Sequence, residues 1–101
     1  MGNFVSIITL ETPTDDMTEL LKLVQETQHI FDKQPGFKGR RLLKSTTQHK
    51  LVQVVEWASA EDSAACMMSP DWQAQEGVAF MQFVQAGKAS MQPEDFVEQT
   101  N

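Results

Sequence analysis

With 101 residues the chain has length for one core of ordinary size and none for a separate substrate domain. Hydrophobic residues at 41% and charged residues at 22% match globular averages and exclude a disordered or membrane-embedded chain. Eight Lys and Arg against fourteen Asp and Glu leave a net charge of −6, which repels nucleic-acid phosphates and anionic lipid, so neither is an expected partner. A single cysteine, Cys66, cannot form an internal disulfide and fits a reducing compartment.

Phe4 to Leu10 is rich in Phe, Val and Ile and reads as a first strand apolar on both faces. No basic residue precedes this run and Glu11 closes it, so it does not read as a secretory leader and a cytoplasmic location is expected. Met1-Gly2-Asn3-Phe4-Val5-Ser6 fits the loose N-myristoylation pattern, but no basic cluster follows and the match is read as coincidence. Thr12-Pro13-Thr14-Asp15-Asp16 supplies turn and cap residues, and Asp16 with Glu19 has capping-box spacing. One helix is expected from Asp16 to Pro35-Gly36, with Met17, Leu20, Leu21, Val24, Thr27 and Phe31 on its packed side.

Phe37 to Ser45 reads as a second strand, basic in the middle. Its Lys38, Arg40, Arg41 and Lys44 are expected to line a strand edge and neutralise acids on the helices. The polar run 46–50 makes a hairpin turn into a third strand, Leu51 to Trp57, where Leu51, Gln53, Val55 and Trp57 share one face and Val52, Val54 and Glu56 the other. A hairpin apolar on both faces implies helices on one side and a second cover on the other, most simply another copy of the same sheet.

Ser59 with Asp62 caps a short helix through Met68, broken at Ser69-Pro70. Asp71 is expected to cap a third helix carrying Trp72, Val78, Phe80, Met81, Phe83 and Val84, which must be heavily buried or line a cavity, and Gly87 is placed as its C-terminal cap. Asp95 to Thr100 completes the order β, α, β, β, α, α, β. That order suits a ferredoxin-like α+β sandwich with a four-stranded antiparallel sheet.

Gln34-Pro35-Gly36-Phe37, Val54-Val55-Glu56-Trp57-Ala58-Ser59-Ala60-Glu61 and Ser69-Pro70-Asp71-Trp72, in that order and spacing, resemble the antibiotic biosynthesis monooxygenase domain family over nearly the whole chain, residues 1–101. The resemblance implies a homodimer forming a dimeric α+β barrel, each subunit holding a pocket between sheet and helices. It also implies a cofactor-independent oxidation of a small aromatic ligand, a polycyclic phenol, anthrone or quinol, by molecular oxygen, with no cofactor and no metal. Trp57 matches the family's tryptophan at the end of the third strand, and Gln53 stands where an anthrone-oxidising member has asparagine, so these two are the catalytic candidates. Ser63 falls where a tyrosine is expected and Glu76 where an arginine is expected; with Trp72 they are the substrate-binding candidates.

Each candidate also has a plainer role. Trp57 can be a packing residue, Gln53 a dimer contact and Glu76 a solvated helix carboxylate that would act as a base only inside the pocket. His29 and His49 read as solvated side chains, and Cys66, Met67, Met68 and Met81 as core fillers. The haem-degrading branch of the fold uses an Asn, Trp and His set; here those positions hold Ser6, Cys66 and Glu76, with no imidazole for iron. A quinol-oxidising branch places histidines on the second and third helices, where this chain has none. A non-catalytic dimeric binding or accessory protein of the same fold is the alternative reading.

Overall fold

A computed structural model describes residues 3–13, 16–73 and 75–99. The Met1-Gly2 motif, the Thr14-Asp15 part of the first turn and the Thr100 end of the last expected strand lie outside the described residues. Four strands, β1 (Phe4–Glu11), β2 (Phe37–Lys44), β3 (Lys50–Trp57) and β4 (Ser90–Val97), form one antiparallel sheet in the order β2-β3-β1-β4. Helices α1 (Met17–Glu26), α2 (Gln28–Asp32), α3 (Ala60–Met67) and α4 (Gln75–Gln85) accompany it, with a 3-10 turn at Pro70–Gln73. The fold is α+β and ferredoxin-like. No described helix is long and apolar enough to cross a membrane.

Ser59 caps α3 as its spacing implies: its Oγ accepts from the Asp62 amide at 3.2 Å and donates to Asp62 Oδ2 at 3.0 Å. Gly87, at φ +79°, ends α4 in a Schellman motif, with Gly87 N–H on the Val84 carbonyl and Lys88 N–H on the Phe83 carbonyl. Asp16 occupies the N-cap of α1, but its carboxylate makes no capping bond to that helix.

Four expectations need correction. The first helix is two, parted at Thr27, whose hydroxyl donates to the Val24 carbonyl at 2.6 Å while Arg40 Nη2 donates to the same carbonyl at 2.9 Å. A carbonyl claimed by two other donors no longer holds the helical ladder. Arg40 does stand on an edge strand, β2, but its side chain turns inward beneath the helices. A bulge between Phe37 and Gly39 adds one residue to β2, so Phe37 and Arg40, which strict alternation would put on opposite faces, both face the helices opposite Trp57 and Val55.

Trp72 is not on the last helix. Pro70–Gln73 form a separate 3-10 turn, and Asp71 accepts from Gln34 Nε2 at 3.0 Å instead of capping α4. Finally, β4 begins at Ser90 and runs through Pro93, paired along its length with β1. As an edge strand it tolerates proline, because half of its N–H groups point away from its one neighbour.

Alternation decides the faces. On β3 the buried residues are Leu51, Gln53, Val55 and Trp57, all toward the helices. Beneath the helices the core falls into two clusters. Leu10, Leu20, Val24, Leu51, Phe80 and Phe83 pack at one end, and Phe31, Val55, Trp57 and Cys66 at the other. The opposite face presents Val5 and Ile7 of β1 and Val52 and Val54 of β3, half-buried, flanked by exposed Leu43 and Phe96. The molecule measures only 17 Å along its shortest axis, the depth of one sheet and one helix layer.

Candidate functional site

The three short motifs converge on one corner. Gly36 carries φ +80° and its carbonyl accepts from the Ala58 amide at 2.8 Å, joining the Pro-Gly turn to the end of β3. Gln34 reaches Asp71 in the Ser-Pro-Asp-Trp turn. The side chains gathered there are aromatic. Phe31 lies 5.9 Å from Phe37, 6.1 Å from Trp57 and 5.7 Å from Trp72, ring centre to ring centre, and Trp72 lies 6.4 Å from Phe80. Tilted and edge-on pairs at these separations make a rigid wall.

Between the two core clusters lies a cavity of about 510 Å³, within the range that holds a small organic ligand. Its sheet side is Phe4, Ser6, Ile8, Val55 and Trp57, with Pro93 and Asp95 of β4 at one margin. Its helix side is Ala60, Ser63, Ala64 and Met67 of α3, Trp72, and Phe80 and Met81 of α4. Of the five residues singled out from the sequence, Trp57, Gln53, Ser63 and Trp72 all line this one space.

Glu76 does not. Its Oε2 lies 3.6 Å from His29 Nε2 on the outer surface, beside a separate shallow cleft lined by Glu26, His29, Glu76 and Ala79. The break before α4 explains this. Trp72 and Glu76, four residues apart, would share a face of a continuous helix, but the 3-10 turn ends at Gln73 and α4 starts afresh at Gln75. Gly77 packs so tightly on that turn that a Cβ there would lie 2.6 Å from the Trp72 carbonyl oxygen. Because the His29–Glu76 pair is solvent-exposed, Glu76→Gln should change stability by less than about 1 kcal/mol. It should also leave the affinity of any cavity ligand unchanged in a calorimetric titration.

The polar heart of the cavity is Gln53 with Arg40. Gln53 is 6% exposed. Its Oε1 accepts from Arg40 Nε at 2.9 Å and, at closer range, from Arg40 Nη2. A guanidinium accepts no hydrogen bond, so the amide oxygen must face it and the NH2 is left for the cavity. Arg40 Nη2 also donates to Thr27 Oγ1 at 3.0 Å and to the Val24 carbonyl, and Nη1 to Gln28 Oε1 at 3.3 Å. Its Cζ lies 4.7 Å from the Phe31 ring centre, a cation–π contact.

None of these partners is an acid. Burial pulls the guanidinium down to about 10, partly offset by the charge of Asp32, and it remains a cation at neutral pH. Burial also pushes the Cys66 thiol up, keeping it protonated inside the aromatic cluster. Sequence reasoning missed Arg40, and the available signal was Gly39 before it, a residue that often marks a bulge.

Sheet order and helix placement define a ferredoxin-like α+β protein with a largely apolar cavity between its sheet and its helices. Residues 3–76 match the model of the antibiotic biosynthesis monooxygenase family, and the chain belongs to that family. No curated protein sequence matches it significantly. Among solved structures it is similar to SnoaB, a cofactor-independent oxygenase from Streptomyces nogalater, with a TM-score of 0.81 at 14% identity over 100% of this chain and 97% of that one. A dimeric ferredoxin-like protein from an uncultured marine organism aligns with a TM-score of 0.80 at 14% identity, covering 100% and 91%. A conserved protein from Methanosarcina mazei Go1 gives 0.77 at 8% identity, covering 98% and 95%. At these identities the likeness establishes the fold.

Proposed function

We propose that the chain is a cofactor-independent monooxygenase that oxidises an electron-rich aromatic, such as a polycyclic phenol, anthrone or quinol, with molecular oxygen. The observation that carries this reading is the apolar cavity whose polar floor is an amide donor backed by a guanidinium. Such a substrate carries its own reducing electrons. Once it loses a proton, the protein's task is to exclude water and hold the resulting oxyanion. With an anthrone, one atom of O2 becomes the new ring carbonyl, and the other leaves as water with the two hydrogens of the oxidised carbon. In this reading Trp57 and Trp72 flank the ring system, Gln53 donates to its oxygen and Ser63 offers a further contact from α3.

A homodimer acting in the cytoplasm completes the proposal. The half-buried second face of the sheet supports it: a row of valines and isoleucine flanked by Leu43 and Phe96 is the surface a second copy would cover.

Oxygen consumption by the purified protein with a panel of anthrones and hydroquinones is the test, and turnover above the buffer rate is expected. No uptake with any of them would overturn the enzymatic reading in favour of a binding or accessory protein. One observation favours that second reading: among the described residues the cavity lining holds no imidazole, and its lone carboxylate is Asp95.

A further inference from the structure

Arg40 is a part-buried cation without an acid at hydrogen-bond distance: its five hydrogen bonds end on neutral oxygens of Gln53, Thr27, Gln28 and Val24, and its sixth contact is the face of Phe31. Burying such a charge costs stability unless hydrogen bonds compensate it. These contacts satisfy the donors without cancelling the charge. A carboxylate in place of Gln53 would have cancelled it, yet the chain has an amide at this position.

That amide faces two ways. Its oxygen is committed to Arg40, so its dipole runs from the guanidinium toward the cavity and its NH2 is held at the cavity wall as a donor. Hydrogen bonding to a cation polarises the amide and strengthens its NH2 as a donor to a negative acceptor. Positive potential therefore reaches a space otherwise lined mainly by aromatic and aliphatic groups, where a charge acts strongly because little water screens it.

The remaining charges around that space are few. Asp95 of β4 stands at the cavity margin, in the same cross-strand row as Arg40: Arg40 is opposite Val55, Val55 opposite Ser6, and Ser6 opposite Asp95. Three strand spacings separate the two ends, about 14 Å. Asp32 of α2 acts on the guanidinium from outside the lining, while α3, the 3-10 turn and α4 contribute no charged residue to it. The cavity thus has a positive floor at the Arg40 and Gln53 end and a negative margin.

From this geometry we infer that Arg40 is a specificity-determining and positioning residue: acting through Gln53, it selects aromatic ligands carrying an ionisable hydroxyl and holds them as the anion, with the oxyanion on the Gln53 NH2. The proton goes to water, and the ring extends away from the floor between Trp57 and Trp72. The inference rests on the cavity being the ligand site, as proposed above, but not on turnover.

A chromophoric phenol, 4-nitro-1-naphthol, tests it, because its ionised form absorbs at a distinct wavelength. Bound to the wild-type protein, the dye should ionise at a pH at least about one unit below that of the free dye, a tenfold preference for the anion. Gln53→Glu is the decisive variant. The new carboxylate accepts the same two Arg40 bonds, so the fold is retained, but it neutralises the guanidinium and replaces the NH2 with an acceptor. In this variant the lowering should vanish.

An unlowered ionisation in the wild type, or a lowering that persists in Gln53→Glu, overturns the inference. The neutral analogue 1-nitronaphthalene separates this failure from that of the site itself. If it binds as tightly as the dye, the cavity takes aromatics without regard to charge and only the Arg40 inference falls. If neither compound binds, the reading of the cavity as the ligand site falls as well. A lowered ionisation without oxygen uptake upholds the Arg40 inference while overturning the monooxygenase reading.

Discussion

Trp57→Ala should destabilise the protein by about 3–5 kcal/mol, the range found when a buried aromatic is truncated to a methyl group. Trp57 is 2% exposed and closes the cluster of Phe31, Val55 and Cys66 from the end of β3. Its ring meets Phe37 edge-on at 5.7 Å and Phe31 at 6.1 Å, so truncation removes two aromatic contacts and merges the void with the existing cavity. Against the roughly 5–15 kcal/mol that holds a small domain together, this is about a fifth or more of the total. Urea unfolding followed by circular dichroism would read it. A loss below about 1 kcal/mol would show that the indole serves the cavity and not the core.

Gly36→Ala should cost about 2–4 kcal/mol, the sum of a left-handed backbone and a disturbed helix cap. Gly36 has φ +80°, and a Cβ placed there would stand 2.1 Å from Asp62 Oδ2 and 2.8 Å from Asp62 Cβ. Because Asp62 is tied to Ser59 at the start of α3, the collision reaches the helix whose Ala60, Ser63 and Ala64 wall the cavity. Gly39→Ala is the internal comparison. A Cβ there meets nothing within 4 Å, and the change should stay within about 0.5 kcal/mol. Equal thermal midpoints for the two variants would refute the account of Gly36.

What could be read from the sequence followed local rules. Alternation along Leu51 to Trp57 placed Gln53 and Trp57 on one face, and the structure brings both to the cavity. The Ser59 cap and the Gly87 terminator were legible because each is decided within a few residues. The misread features depend on contacts distant in sequence. The break at Thr27 is shared with Arg40, thirteen residues on, which takes a carbonyl from the helix ladder. Glu76 was referred to a helix phase that the 3-10 turn at Pro70–Gln73 resets, and Asp95, the carboxylate that does reach the cavity, lies on a strand whose first half was read as loop.

The bulge in β2 shows how much chemistry can rest on a count of residues. Between Phe37 and Arg40 the strand holds Lys38 and Gly39, one residue more than its partner needs. Were the same four residues paired without a bulge, strict alternation would point Phe37 and Arg40 to opposite faces. The cavity floor is therefore encoded in the spacing of β2 as much as in the identity of its arginine. Two chains with the same basic strand, one bulged at this place and the other paired regularly through it, would differ in which of them carries a cation inside.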